Sequence, residues 1–299
     1  MKLAGHTMGT PALAVEDAFR LFAGLGYDGV EVVWQDGYRS AIPEQADETE
    51  LRALRRTAEG LGLEICCLTP YMTGIGSLDD ADRAAQISRF EWCIAAAAEL
   101  GSERIRVYAG AITPGDPDRA RKRERVVDAL QRLGRVAAAS GVVLCVENHF
   151  NTFALTAAET VDLMRAVDSP GVGILYDQAN LTFTHGEPWT QALPLQRDWI
   201  RHVQVKDLVF IDPDAPFVAS KVEQVSESER TVRSRVVGEG ILDWSAIISA
   251  LAAAGYDGYL SVEYEYRWHP ADLPEPEIGF RRSIEVLRPL VARATASAR

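Results

Sequence analysis

The chain has 299 residues, of which 47% are hydrophobic and 25% charged, an ordinary composition for a globular protein with a sizeable core. It has 31 Lys and Arg against 43 Asp and Glu, so its net charge of −12 argues against nucleic acid or an anionic membrane as the main partner. We find neither a signal-peptide core near the N-terminus nor an apolar run of the roughly 18 residues that a transmembrane helix needs. These features predict a cytoplasmic protein.

Short β-branched runs alternate with amphipathic stretches along the chain. The predicted strands cover residues 3–8, 29–34, 64–70, 104–108, 142–149, 172–177, 200–206 and 259–264. The predicted helices cover 15–25, 48–61, 82–100, 118–139, 157–167, 244–253 and 277–291. Eight such units predict an α/β fold that closes into a single (β/α)8 TIM barrel over residues 1–299. The alternative, an open doubly wound sheet, lacks a GxGxxG motif after its first strand.

Two segments and the cysteines stand apart from this pattern. Residues 208–235 form a long irregular segment after the seventh predicted strand, and loops of this length are usually functional, so we expect a lid or a subunit contact. The tail 292–299 is expected to fray. The four cysteines form no C-x-x-C pair and lie in apolar surroundings, which predicts buried thiols in a reducing compartment: Cys66, Cys67, Cys93 and Cys145.

Polar residues share the inward parity of four predicted strands, near the end where barrels carry their active sites. They are Glu147, Asp177, Gln204 and Glu263, from the fifth, sixth, seventh and eighth strands. Three carboxylates cannot all stay charged together without a cation. Lys206 would neutralise one of them, but a divalent metal explains the convergence better. The structural alternative is that these carboxylates cap the following helices or pair with Arg and Lys.

The four oxygen ligands favour one hard ion, Mg²⁺ or Mn²⁺, over Zn²⁺. Two carboxylates that flank a metal-bound substrate also suit proton transfer, since the metal stabilises the enediolate formed when the α-proton leaves. We find no Ser-centred elbow, P-loop or HExxH motif, so acyl transfer, kinase and zincin chemistry lack their usual signatures.

Five segments resemble the sugar phosphate isomerase/epimerase superfamily of xylose-isomerase-like barrels. They are Cys145-Val146-Glu147-Asn148-His149, Leu175-Tyr176-Asp177, the run from His202 to Asp207, Gly238-Glu239-Gly240 and Ser261-Val262-Glu263. The resemblance implies a metal site at Glu147, Asp177, Gln204 and Glu263, with Glu147 and Glu263 as the proton-shuttling pair of the epimerases. Many members have His where this chain has Gln204, and hydroxypyruvate isomerase has Gln.

Two departures qualify the ketose-epimerase interpretation. The acidic residue and the arginine that orient the ketose fall near Phe153 and Phe210 in this chain. Five histidines and a negative charge do not suit the three-zinc AP endonucleases of the same superfamily, so a nuclease is set aside.

Further residues are candidates for acid–base or substrate contacts. His149 shares the parity of Glu147 and is either a general acid or base or a hydrogen-bond partner of the metal ligands. Lys206 would steady an oxyanion or bind an anionic group, unless it forms a salt bridge. Glu31 is a candidate for a substrate hydroxyl, and Trp34 for an apolar pocket wall with Tyr71 and Trp268. The other substrate-binding candidates are His6, Asn180 and Arg267.

Three functions remain open. The first is a divalent-metal-dependent isomerase or epimerase of a sugar or sugar-like hydroxy-carbonyl compound. The second is a lyase on the same site: an inosose-type dehydratase, or the catalytic subunit of a C-glycoside deglycosidase that acts on 3-oxo-glycosides with a small partner subunit. The third is a non-catalytic barrel that binds sugar. In each case the ligand is a small carbohydrate, and we expect a homo-oligomer.

Overall fold

The computed structural model describes residues 1–219 and 225–297. Its strands form where β-branched and apolar residues are concentrated in the sequence. The strands are β1 (Lys2–His6), β2 (Gly29–Trp34), β3 (Ala41–Ile42), β4 (Glu64–Thr69), β5 (Arg104–Val107), β6 (Val143–Glu147), β7 (Val172–Asp177), β8 (Ile200–Val205), β9 (Asp207–Phe210), β10 (Val232–Arg235) and β11 (Tyr259–Val262). The helices are α1 (Val15–Leu25), α2 (Glu48–Gly60), α3 (Asp80–Leu100), α4 (Arg119–Ala139), α5 (Ala157–Val167), α6 (Gln178–His185), α7 (Trp189–Gln196), α8 (Trp244–Ala253) and α9 (Pro276–Ser297).

Eight parallel strands close into a barrel because β1 pairs with β2 on one side and with β11 on the other. The sheet order is β1-β11-β8-β7-β6-β5-β4-β2, with the short β3 added beside β2. The predicted TIM barrel is therefore confirmed. Strands β6, β8 and β11 end one to two residues before their predicted ends.

The alternation of side chains separates two environments around the barrel wall. In β2, Val30, Val32 and Trp34 belong to the main hydrophobic core, whereas Glu31 points the other way and is equally buried. Outside the barrel, Phe22 of α1 meets Phe280 of α9 edge to face, with ring centroids 4.8 Å apart. Apolar residues therefore pack against the helices, and polar residues occupy the barrel interior.

The segment 208–235 is not irregular throughout. Strands β9 and β10 form an antiparallel ribbon in a sheet of their own, with Phe210 opposite Val232 and Asp207 opposite Arg235. We call this pair of strands the ribbon. Residues 220–224, which also fall in the predicted lid, lie outside the described residues.

Two carboxylates connect the ribbon with the chain segments beside it. Asp207 accepts hydrogen bonds from the backbone N–H groups of Leu208, Gly238, Gly240 and Leu242, at 2.9 to 3.2 Å. Asp272, in the segment after β11, accepts from the guanidinium groups of Arg230 and Arg233 and from the Ser234 N–H. The Gly-Glu-Gly motif at 238–240 therefore has a structural role, as a turn built around Asp207.

Three further outcomes concern the tail, the cysteines and membrane spans. Helix α9 continues to Ser297, through residues where fraying is expected, because Val291 and Ala294 are buried against the core; residues 298–299 lie outside the described part. All four cysteines are buried and free, as expected. Among the described residues, we find no helix with the length and apolarity to span a membrane.

Candidate active site

Three carboxylates meet at the C-terminal end of the barrel. Glu147 ends β6, Asp177 ends β7 and Glu263 follows β11, and one oxygen from each lies within 4.8 Å of the others. Gln204 of β8 is in register with Asp177, so its side chain lies on the neighbouring strand at the same level. The structure therefore brings together the four residues that the strand parity selects.

Two buried cations partly compensate this negative charge. The Lys206 Nζ lies 2.7 Å from Glu263 Oε2, 3.1 Å from Asp177 Oδ2 and 3.4 Å from Glu265 Oε1. Arg106 Nη1 donates to Glu147 Oε2 at 3.0 Å. Burial alone would lower the pKa of Lys206, but the surrounding carboxylates raise this pKa well above its usual value, so the ammonium stays charged.

The carboxylates also make some of the contacts expected of a purely structural role, which are helix capping and pairing with Arg. Asp177 Oδ1 caps helix α6 by accepting from the backbone N–H of Asn180 at 2.8 Å. Glu147 pairs with Arg106, and its other oxygen accepts from Asn180 Nδ2 at 3.2 Å. These contacts use only part of the acceptor capacity of each carboxylate, so they are compatible with a cation at the same oxygens.

The charge balance of the cluster remains negative. Burial, together with a smaller contribution from the charge of Glu263, raises the pKa of Glu147 to about 8 and the pKa of Asp177 to about 7. Arg106 lowers the first and Lys206 the second, without restoring the usual carboxyl values. Carboxyl groups with these pKa values keep their protons near pH 7. A divalent cation would replace these protons and stabilise the charged carboxylates.

The donor set fits a hard divalent cation. Gln204 Oε1 is buried and has no hydrogen-bond partner among the described residues, although its Nε2 donates to Glu31 Oε1 at 2.9 Å. A buried amide oxygen without a partner costs free energy, and a cation would satisfy it. Together with the carboxylates it makes an all-oxygen set, which suits Mg²⁺ or Mn²⁺.

A second polar cluster lies deeper in the barrel and is centred on Glu31. Its carboxylate accepts from Thr69 Oγ1 at 2.8 Å, from Gln204 Nε2 at 2.9 Å and from His202 Nε2 at 3.0 Å. Burial alone would raise the pKa of Glu31, but His6 and His202 lower it below the usual range. Glu31 is fully buried and does not line the cleft described next.

A cleft opens beside the three carboxylates, of which Glu263 lines it. Its floor includes Lys206, Glu263 and Asn180. One side is an aromatic wall, by which we mean Phe150, Phe183 and Phe217; Phe217 lies edge to face with the other two at centroid distances of 5.3 and 5.0 Å. The ribbon contributes Leu208, Val232 and Ser234 to the rim. A charged floor and an apolar wall define two binding environments in one cleft.

His149 lies between these two environments. It lines the cleft, its ring centroid is 4.7 Å from that of Tyr108, and its Nδ1 lies 3.1 Å from the Phe150 carbonyl oxygen. An Nδ1–H donor to that carbonyl leaves Nε2 as the basic atom. Burial lowers the pKa of His149 well below its usual value, so the ring is neutral and its Nε2 carries no proton.

The remaining predicted residues are placed differently. Trp34 packs in the main hydrophobic cluster and does not line the cleft, because its strand parity directs it towards the helices. His6 is fully buried, and its Nδ1 accepts from the Met8 N–H. Arg267 stacks 3.5 Å above the Tyr38 ring. Neither His6 nor Arg267 lines the cleft, whereas Trp268 and Tyr71 do.

Arg106 is a site residue that the sequence interpretation missed. It is buried, its Nη2 donates to the Pro70 carbonyl, and its guanidinium lies 3.9 Å from the centroid of the Tyr108 ring. The available signal was its position: an arginine flanked by Ile105 and Val107, at the inward parity of a barrel strand, requires a buried anion as its partner.

Comparisons with known proteins agree with this architecture. The sequence pattern of the family described as "Xylose isomerase-like TIM barrel" matches residues 19–290. An inosose dehydratase of Geobacillus thermodenitrificans is 36% identical over 144 residues, which are 47% of this chain and 46% of that protein. By this match, the chain spans about half the length of the curated relatives.

Two solved structures share the fold. The apo 3-keto-D-glucoside 4-epimerase YcjR of E. coli is 22% identical with a TM-score of 0.72, covering 97% of this chain and 99% of that one. The IOLI protein, solved with a zinc atom bound, is 17% identical with a TM-score of 0.76, covering 98% and 99%. At these identities the likeness shows the fold alone.

Proposed function

The chain belongs to the xylose isomerase-like TIM barrel family, as the match over residues 19–290 shows, and on this basis we propose its function. We propose that it is a divalent-metal-dependent isomerase or epimerase of a sugar or sugar-like hydroxy-carbonyl compound. The observation that carries this proposal is the convergence of Glu147, Asp177 and Glu263, with Gln204 in register beside Asp177 and its buried Oε1 without a hydrogen-bond partner among the described residues. These four residues would hold the cation, which is Mn²⁺ or Mg²⁺. When bound, the cation would polarise the substrate carbonyl and acidify the neighbouring C–H.

The residues of the chain then supply proton transfer. Glu147 and Glu263 reach the cluster from non-adjacent strands, β6 and β11, so one would take the proton and the other return it on another side of the substrate carbon. Arg106 and Asn180 fix both oxygens of Glu147, while Lys206 holds Glu263 Oε2. These hydrogen bonds limit the rotation of each carboxylate and so hold it in a defined direction.

A proton-exchange experiment tests this function. Metal-stripped protein reloaded with Mn²⁺ is incubated with ketoses and inososes in heavy water, and deuterium is measured at the carbon next to the carbonyl. We expect exchange in the wild type, and at least about a hundredfold less with Glu263→Gln or Glu147→Gln, since each removes one proton carrier. Turnover without any exchange would contradict the proposal, and Glu99→Gln, at an exposed helix position, is the matched control.

A lyase is the second candidate, and the position of His149 favours it. The neutral imidazole lies beside the aromatic wall, where its unprotonated Nε2 would remove a proton away from the carboxylates. The similarity to inosose dehydratase over half the chain agrees with this alternative. Product mass decides between the two functions: an isomerase conserves the substrate mass, whereas a lyase loses water or an aglycone.

A further inference from the structure

The side-chain amide of Gln204 connects the carboxylate cluster with the deeper cluster around Glu31. Its Nε2 donates to Glu31 Oε1 at 2.9 Å, and its Oε1 is buried without a partner among the described residues. The two ends of an amide have nearly the same shape, so hydrogen bonding alone decides which end faces which neighbour. Only the oxygen end can bind a cation, and the nitrogen end would repel it.

Glu31 is itself held in one orientation. Oε1 also accepts from Thr69 Oγ1 at 2.8 Å, and Oε2 accepts from His202 Nε2 at 3.0 Å. Because Thr69 and His202 come from β4 and β8, on either side of Glu31 in the barrel, the carboxylate is fixed from two directions. An ionised Glu31 can only accept hydrogen bonds, so Gln204 must turn its Nε2 towards it.

We propose that Glu31 is a positioning residue that fixes the amide of Gln204, so that Gln204 Oε1 faces the cation held by the three carboxylates. This inference rests on the proposed function. It differs from the prediction that Glu31 contacts a substrate hydroxyl, because both oxygens of Glu31 already accept hydrogen bonds from Thr69, Gln204 and His202. Glu31 acts through Gln204 and does not touch the substrate.

A double-mutant cycle tests the proposal through metal affinity. The four proteins are the wild type, Glu31→Gln, Gln204→Glu and the combined variant, and free Mn²⁺ is titrated by electron paramagnetic resonance. In Gln204→Glu alone, two carboxylates meet at the present distance of 2.9 Å and repel each other. The combined variant restores one donor facing one acceptor with the polarity reversed, and still leaves a carboxylate oxygen for the cation.

We expect the combined variant to bind Mn²⁺ at least fivefold more tightly than the product of the two single effects predicts. A coupling below fivefold overturns the proposal. Pairing Glu31→Gln with Gln178→Glu is the matched control, because the Gln178 amide donates to Thr182 and to the Glu187 carbonyl and not to Glu31; it should show no coupling.

A second comparison keeps the proposal falsifiable if Gln204→Glu fails to fold. Glu31→Leu should weaken Mn²⁺ binding at least fivefold when Gln204 is present and less than twofold in a Gln204→Met background, which has no amide to orient. Equal losses in both backgrounds overturn the positioning role. Wild-type protein that binds no Mn²⁺ would instead overturn the proposed function, so the two failures are distinguishable.

Discussion

The Lys206 ammonium contacts carboxylate oxygens that a divalent cation would also bind. Its ammonium contacts Asp177 and Glu263, two of the proposed ligands, at 3.1 and 2.7 Å. A metal ion must displace this charge or share the carboxylates with it. We therefore expect Lys206→Gln to tighten Mn²⁺ binding by about tenfold or more, because a competing positive charge is gone.

The same substitution should lower the melting temperature of the metal-free protein, since buried carboxylates lose their counter-ion. Isothermal titration with Mn²⁺ and thermal melting measure the two effects, which run in opposite directions. Lys122→Gln, which removes an ion pair with Asp116, is the control for a general change in charge. Weaker Mn²⁺ binding in Lys206→Gln would show that the lysine supports the metal site and does not compete with it.

The raised carboxyl pKa values at Glu147 and Asp177 predict how metal binding depends on pH. With values of about 8 and about 7, both groups carry protons below neutrality, and the cation must replace these protons. Raising the pH removes the competition, so the Mn²⁺ affinity should rise at least about tenfold between pH 6 and pH 8 and then level off. A flat affinity over this range, measured by titration in matched buffers, would contradict the assignment of these carboxylates.

At the residue scale, strand parity predicted the convergence of Glu147, Asp177, Gln204 and Glu263. It did so because inward and outward positions alternate along a barrel strand. The same rule, applied to β2, would have excluded Trp34, which shares the parity of Val30 and Val32. The depth of Glu31 below the cleft could not be inferred, since it depends on how far each strand is staggered against its neighbours.

At the scale of elements, Asp272 holds the ribbon to the segment that follows β11. Its side chain is 1% exposed and contacts Arg230, Arg233 and the Ser234 N–H. We expect Asp272→Asn to cost about 3 kcal/mol, as is usual when one partner of a buried ion pair is removed. Amide hydrogen exchange should accelerate in β9 and β10 while β5 to β7 keep their protection.

Glu227→Gln is the matched control for Asp272, because Glu227 pairs with the same Arg230 but is 76% exposed. Its loss should change the free energy of unfolding by less than about 1 kcal/mol. If both variants exchanged alike, the ribbon would not depend on the buried carboxylate.

The turn around Asp207 requires glycine at position 240. A Cβ there would lie 2.1 Å from Asp207 Oδ1, a distance that no side chain tolerates. Gly240→Ala should therefore destabilise the protein by several kcal/mol, at least about 3 in denaturant unfolding. Gly24→Ala in α1, where a Cβ meets nothing within 4 Å, should be neutral or stabilise by up to about 1 kcal/mol. Similar losses in both variants would contradict this account.

The barrel elements were predictable, but the ribbon was not. The barrel strands alternate with helices along the chain and are almost fully buried, whereas in β10, with the sequence Val-Arg-Ser-Arg, only Ser234 is buried. Its stability comes from pairing with β9 and from Asp272, 37 residues beyond its last residue Arg235, so no local pattern reveals it. Arg106 escaped notice for a related reason: its partner Glu147 lies 41 residues away.

At the scale of the whole molecule, metal binding should stabilise the barrel, because the proposed ligands come from β6, β7, β8 and the end of β11. At a Mn²⁺ concentration one hundred times the dissociation constant, the gain is about 2.7 kcal/mol, or about 5 °C in melting temperature. Calorimetry with Mn²⁺ and with a chelator measures this shift. Asp177→Asn should respond much less, and an equal response in that variant would place the ion elsewhere.

The ribbon is inserted in the chain between β8 and β11, which are neighbours in the barrel. Its two strands, β9 and β10, pair with each other in a separate sheet. Its length and composition can therefore vary without shifting the register of any strand that carries a proposed ligand. The chemistry at the floor and the choice of molecule at the rim are thus encoded by separable stretches of sequence. A ribbon exchanged between two members of this family should transfer preference among substrates and leave the reaction itself intact.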